Sequence, residues 1–266
     1  MRRIFFISFV AVSLFVSGCS RQADTNSVQE IAKPEPKQVT QTQTEKSPSG
    51  ILEHGSRTAK VVALTFDADM TPKMKNDLKT GVVKSWYEKG VIDILEKNKV
   101  PATLFLTGMW AELYPDVTKE LGANPLFEIG NHSYDHGGFH MPCYGLGEVK
   151  NKKDEIDITQ RILEDLIGYA PKYFRFPGGC GAPDDVALVS QLGLQVVGWD
   201  DISGDAYIRD SAEPIITQTI KNAQNGSIIV FHMHGGRTAP QTVHALQAII
   251  DGLRKKGFSF VKVSEL

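Results

Sequence analysis

The sequence predicts an α/β fold, a (β/α)7 barrel of parallel strands, and three observations carry that expectation. Short apolar runs rich in Val, Ile, Leu and Phe recur along the chain, longer helix-like runs separate them, and chemically competent polar residues gather just after the apolar runs. Such alternation lays strands side by side in parallel with helices packed outside them.

Composition sets the outer bounds. The chain has 266 residues, 29 Lys and Arg against 31 Asp and Glu, and 41% hydrophobic residues. These values exclude a mostly disordered chain. A pI of about 6.4 argues against a nucleic-acid partner, because phosphate recognition concentrates Lys and Arg on one face. A neutral or weakly charged substrate fits better. Nothing in the composition fixes an oligomeric state.

The elements follow in order. Residues 1–19 read as an export signal: Met1-Arg2-Arg3 is positive, Ile4 to Val16 is an apolar run too short to span a bilayer, and Ser17-Gly18 are small. Val16-Ser17-Gly18-Cys19 resembles the lipobox of bacterial lipoproteins, which implies lipidation of Cys19 and anchoring of an exported protein to a cell membrane. An ordinary cleaved signal is the alternative. Residues 20–50 lack aromatics and are dominated by Gln, Thr, Ser, Lys and Pro, the composition of a flexible linker. Residues 51–266 then form one domain.

Within it, strands are expected at Val61–Phe66, Ala102–Thr107, Leu126–Ile129, Lys172–Phe176, Leu194–Trp199, Ser227–Phe231 and Phe258–Val263. Helices are expected at Val82–Asn98, Glu148–Ile167, Asp184–Leu192, Glu213–Ala223 and Thr242–Lys256, the last with Val243, Leu246, Ile249, Ile250 and Leu253 on one stripe. Asp67 and Asp69 follow the first strand, His132 and His136 the third, Arg175 and Pro177 close the fourth, Asp200 to Asp205 follow the fifth, and His232 and His234 the sixth. In a parallel barrel those ends share one face, where the loops converge on a mouth. Helix capping explains some of the carboxylates and explains the histidines poorly. His132 and His136, four apart as on a helical turn, can present two imidazoles to one metal. A carboxylate from the first strand end completes a His-His-Asp set with an open position, as a hydrolytic metal requires.

Thr65-Phe66-Asp67-Ala68-Asp69, His132-Ser133-Tyr134-Asp135-His136, Arg175-Phe176-Pro177-Gly178-Gly179, Trp199 to Asp205 and Ile229-Val230-Phe231-His232 resemble, in order and spacing, the successive motifs of the polysaccharide deacetylases. The resemblance implies a distorted (β/α)7 barrel, the chitooligosaccharide deacetylase homology domain, that removes acetyl groups from an acetylated polysaccharide with a divalent metal, most often Zn²⁺, with Co²⁺ or Ni²⁺ as alternatives. It makes Asp67 the general base, His132 and His136 metal ligands, Arg175 the residue that orients the base, His232 rather than His234 the acid, and Asp205 the support of that acid. In the family the metal carboxylate directly follows the base. Here Ala68 stands in that position, so Asp69 is expected as the third ligand only if it reaches the metal. The Asp205 motif is also longer than usual, with Ala206 where a Trp is expected.

Pro177, Gly178 and Gly179 are expected to let backbone approach the substrate, Gly178-Gly179 furnishing an oxyanion donor. Of the aromatics near the expected mouth, Tyr134, Trp110, Tyr144 and Trp199, the last is taken as a substrate contact. Cys143 and Cys180 lie in loops on that face, and both a disulfide and two free thiols are open. Three functions are compatible: an N-deacetylase acting on N-acetylglucosamine or N-acetylmuramic acid residues, an O-acetyl esterase on xylan or another glycan, and a non-catalytic carbohydrate-binding lipoprotein. The retained base, metal histidines and acid argue against the third.

Overall fold

The computed structural model describes residues 50–266. The export signal, Cys19 and, apart from Gly50, the linker lie outside the described residues.

The fold is organised on β1 (Val61–Ala68), buried along its whole length after Val61. A strand covered on both faces reads as a near-continuous apolar run, and VVALTFDA does so until its acidic end. Neighbouring β1 on either side are β2 (Ala102–Leu106) and β7 (Ser227–His232), both parallel to it. Outward from β2 come β3 (Phe127–Asn131), β4 (Tyr173–Phe174) and β5 (Gln195–Val196); outward from β7 comes β6 (Asp201–Ile202). A last short strand, β8 (Ser259–Phe260), also pairs with β1. The pairing sets Asp67 directly beside His232 of β7 and Phe105 of β2. That register, rather than any loop, is what first brings Asp67 and His232 together.

The sheet curls in the (β/α)7 manner without closing, since β5 and β6 are its two ends. Chain preceding β1 spans the seam: Leu52 pairs with Val197 and His54 with Ser227. Three expected strands change here, Lys172–Phe176 first, which shortens to β4. The single strand Leu194–Trp199 shortens to β5, and β6 forms inside the segment read as loop, where two residues offer no apolar pattern to detect. Phe258–Val263 contracts to β8 followed by a 3₁₀ turn at Val263–Glu265.

Helices cover the sheet. α1 (Pro72–Lys79) opens with Pro72 and is capped by the Thr71 hydroxyl, which accepts the Met74 N–H. The helix expected from Val82 begins at Lys89 (α2, Lys89–Asn98), where the Glu88 carboxylate accepts the Gly90 N–H. Two short helices, α3 (Gly108–Leu113) and α4 (Pro115–Ala123), escape the pattern reading. α5 (Lys152–Ile167) starts where Asn151 caps the Asp154 N–H and stops at the left-handed Gly168. α6 (Pro183–Gln191), α7 (Glu213–Asn222) and α8 (Thr242–Lys255) lie within a residue of expectation. Leu246, Ile249, Ile250 and Leu253 of α8 are fully buried, each contributing roughly 1.5–3 kcal/mol of burial free energy, while Val243 packs at the margin of the core. No helix among the described residues is long and apolar enough to cross a membrane.

One buried carboxylate stands apart from the site. Asp201 in β6 is 2% exposed, and neither of its oxygens finds a partner in hydrogen-bond geometry among the described residues. Burial, and then the charge of Asp200, push its pKa up to about 7, with Asn222 and Lys256 opposing. The unfolded chain ionises Asp201 near 3.8, so between that pH and about 7 the folded state holds the extra proton and stability falls as pH rises. Asp201→Asn therefore raises the melting temperature at pH 8, and the gain shrinks towards pH 4. An equal effect at both pH values would show that the carboxyl titrates alike in both states.

Candidate active site

Asp67 is the penultimate residue of β1 and is 3% exposed. Its Oδ1 accepts Nη1 of Arg175 at 2.7 Å. Arg175 is wholly buried: Nη2 donates to the Gly198 carbonyl at 3.1 Å, Nε to Val197 at 3.4 Å, and the guanidinium lies 4.1 Å from the Phe105 ring centre and 5.4 Å from that of Trp199. A guanidinium so enclosed must be paired, and the pairing holds the carboxylate in one orientation.

Asp69 reaches the centre in spite of Ala68. Side chains alternate along an extended chain, so Asp67 and Asp69 share one side while Ala68 turns into the core, fully buried. Oδ1 of Asp69 is 3.5 Å from Nε2 of His132 and 3.3 Å from Nε2 of His136. Asp69, His132 and His136 each offer one atom within 4.8 Å of the others. Among the described residues, Asp69 Oδ1 and His132 Nε2 are buried with no hydrogen-bond partner. Nδ1 of His132 meets the Arg175 carbonyl at 2.9 Å, so Nδ1 donates and Nε2 turns its lone pair inward. Burial opposes charge on Asp69, but the surrounding imidazoles outweigh it and hold the carboxyl well below its ordinary range. Burial drives His136 down to about 4, leaving a neutral donor. Two imidazoles, one carboxylate and two orphaned buried atoms suit a divalent metal of the zinc type.

The His132–His136 segment is a loop rather than the helical turn expected from its spacing. Ser133 (φ 69°) and His136 (φ 60°) are left-handed, and the rings meet edge-on with centres 5.0 Å apart. Glu155 of α5 organises this loop, its carboxylate accepting the Ser133 hydroxyl at 2.8 Å and the backbone N–H groups of Tyr134 and Asp135 at 2.9 and 3.3 Å. Sequence reading missed Glu155, since an acid in the first turn of a helix is accounted for by the helix dipole.

Opposite, His232 closes β7. Its Nδ1 donates to Asp205 Oδ1 at 2.8 Å, and its backbone N–H donates to the other oxygen at 2.7 Å. Thr242 and Ser203 hydroxyls also donate to Asp205, which is 1% exposed. Burial disfavours charge on His232, but Asp205 outweighs it and raises the imidazole to about 10. The longer spacing before Asp205 thus still delivers it to the histidine. His234, read as loop, is instead buried against Asp69: its Nδ1 accepts the Asp69 backbone N–H at 3.4 Å and lies 3.7 Å from Oδ2. A cleft of about 320 Å³ opens beside Asp69, His136 and His234, walled by Met74, Val82, Trp86 and Leu146.

The turn Pro177–Gly179 sits across the mouth, with Gly178 and Gly179 at φ 61° and 71°. A Cβ on Gly179 would come within 2.8 Å of the Trp199 ring, so the glycine admits the indole. The Gly179 N–H is committed to the Phe176 carbonyl at 2.9 Å, which removes it as the expected oxyanion donor. Cys143 and Cys180 form a disulfide. Trp110 is core, donating to the Trp86 carbonyl, and the Tyr134 hydroxyl donates to Glu112. Trp199 and Tyr144 line one groove with Gly178 and Gly179.

The sequence pattern of the polysaccharide deacetylases matches residues 54–197, over half the chain; Asp205 and His232 lie beyond that span. A peptidoglycan-N-acetylglucosamine deacetylase of Bacillus cereus is 31% identical over 211 residues, covering 78% of this chain and 88% of the relative. The crystal structure of a peptidoglycan N-acetylglucosamine deacetylase in complex with a naphthalenyl N-hydroxybenzamide aligns at 29% identity and a TM-score of 0.67, covering 80% of this chain and 90% of the other. A family pseudoenzyme from Bacillus anthracis shares the fold at 21% identity and a TM-score of 0.65, covering 81% and 68%.

His132→Ala is expected to abolish tight divalent-metal binding, and His234→Ala to weaken it by about tenfold to a hundredfold through the loosened Asp69 backbone. Competition against a chromogenic chelator measures both. Unchanged affinity in His132→Ala would place the metal elsewhere.

Proposed function

Because the chain belongs to the polysaccharide deacetylase family, we propose that it hydrolyses acetyl groups from N-acetylglucosamine or N-acetylmuramic acid residues of a cell-envelope polysaccharide, with a divalent metal held by Asp69, His132 and His136. The observation that carries this reading is one constellation: a buried Asp67–Arg175 pair on one side, a His232–Asp205 pair on the other, and the orphaned atoms of Asp69 and His132 between them. The meeting of those side chains at one place supports a hydrolase over a binding protein.

When bound, the divalent ion supplies Lewis acidity, lowering the pKa of water and polarising an acyl oxygen. The chain's own residues do the rest. Asp67 takes the proton of the attacking water on the oxygen that Arg175 does not engage, and Arg175 keeps that carboxylate aimed. A C–O bond forms as the amide C–N bond breaks, and the nitrogen leaves readily only once protonated. His232 delivers that proton from Nε2, since Nδ1 is tied to Asp205. The apolar wall of Met74, Val82, Trp86 and Leu146 suits an acetyl methyl. The relatives' peptidoglycan substrate supports the choice of polymer. Export and a lipid anchor at Cys19, read from the sequence, would hold the domain beside such a polymer on a bacterial membrane; the mass of the mature chain tests the anchor.

Acetate release from peptidoglycan and from chitin oligomers, compared with acetylated xylan in metal-replete buffer, tests the reaction. Release from the xylan alone would make the protein an O-acetyl esterase. Asp67→Asn should lower kcat by about a hundredfold or more while metal content stays at the wild-type level, and Asp69→Ala should lose metal and turnover together. A fully active Asp67→Asn would remove that residue from the mechanism.

A further inference from the structure

The cleft between α1 and the loop after β7 offers more than the proposed reaction uses. At about 320 Å³ it is larger than the methyl and carbonyl of one acetyl group require, and Arg237, Lys73 and Asp77 share its lining with Asp69, His136 and His234. The charges there are not balanced. Asp69 is engaged by imidazoles and Lys73 pairs with Asp77 at 2.6 Å, whereas the exposed Arg237 has no carboxylate or carbonyl acceptor among the described residues. His234 adds a second donor. Its Nδ1 accepts the Asp69 backbone N–H, so the ring proton sits on Nε2, which meets no protein partner among the described residues. We infer that this cleft is a carboxylate pocket in which Arg237, with the His234 Nε2–H as second donor, selects an N-acetylated sugar bearing an acidic ether on the neighbouring ring carbon, as in N-acetylmuramic acid, over neutral N-acetylglucosamine.

A lactyl ether on the carbon next to the acetamido carbon keeps its carboxylate close to the acetyl group. A sugar whose acetyl reaches Asp69 and His136 therefore brings that carboxylate to the same cleft, where a guanidinium can meet both oxygens with paired N–H donors. The loop that carries Arg237 is seated before any ligand arrives. Gly235 and Gly236 are left-handed at φ 61° and 63°, and a Cβ on Gly236 would come within 2.5 Å of the Trp86 ring. Trp86 is fixed in turn, its indole N–H donating to the Met74 carbonyl of α1 at 2.8 Å. Binding then has chiefly the Arg237 side chain to order, which lowers its entropic cost. The facing wall carries the same sign of charge. Lys73, Lys75, Lys79 and Lys84 are exposed along α1 and the segment after it, with Asp77 as the single acid in residues 72–84, so an anionic chain is drawn towards this side.

The place of the acetyl group rests on the deacetylase reading, and two measurements on the full chain separate the claims. The first is kcat/KM for acetate release from a tetrasaccharide of alternating N-acetylglucosamine and N-acetylmuramic acid with free lactyl carboxylates, beside chitotetraose. The second is calorimetric binding of the same two oligomers to metal-stripped protein. Wild type should prefer the acidic oligomer by about tenfold in both. Arg237→Gln should remove that preference, Arg237→Lys should keep part of it, and Arg237→Glu should reverse it. A binding preference that follows the charge of these variants while neither oligomer releases acetate upholds the pocket and overturns the deacetylase. Acetate released equally well from both oligomers, with the ratio unaltered in Arg237→Glu, overturns the pocket and leaves the deacetylase standing. Binding of the lactyl methyl ester as tight as that of the free acid overturns the assignment of a carboxylate.

Discussion

The site depends on one buried guanidinium. Arg175 binds Asp67 through Nη1, ties to β5 and its exit through Val197 and Gly198, rests on Phe105 of β2, and through its own carbonyl fixes the tautomer of His132. Its backbone N–H is in turn accepted by Asn131, the residue before His132. A charge this deep is costly to bury, and it is tolerable only with its donors occupied. The same contacts that satisfy Arg175 therefore orient Asp67 at the end of one strand and His132 just past another. Positioning and stability cannot be separated at this residue.

Around that anchor, electrostatics divide the work among four imidazoles that all approach the Asp69 carboxylate. His132 and His136 bring their Nε2 atoms to one oxygen, while His234 and His232 lie 3.7 and 4.0 Å from the other. Chemically equal side chains become unequal through their second contacts. A carbonyl behind His132 and burial around His136 leave lone pairs for a metal, whereas Asp205 behind His232 loads it with a proton.

Much of this was legible in the sequence because strand ends in a parallel sheet share a face, so Asp67, His132, Arg175, Asp205 and His232 could be gathered without coordinates. Periodicity located β1, β2, β7 and α8, whose apolar patterns are long. It failed where elements are too short to show a period, as at β6, or where they are polar and begin with proline, as at α1 and α4. The spacing of His132 and His136 suggested a helical turn, yet two left-handed residues and Glu155 build a loop that brings the rings together. Neither His234 against Asp69 nor Glu155 beneath the loop could be inferred, since both depend on contacts between segments far apart in sequence.

Ala68 has a consequence beyond this chain. A second residue's step along an extended chain restores the direction of the first, so an acid two positions past Asp67 shares its side and can still meet the histidines. A pattern that demands adjacent acids would class such a protein as lacking a ligand, and an inert member of a family and a functional one would then look alike on paper. What distinguishes them is the parity of the interval together with whatever restrains the backbone just past the strand, here the imidazole of His234.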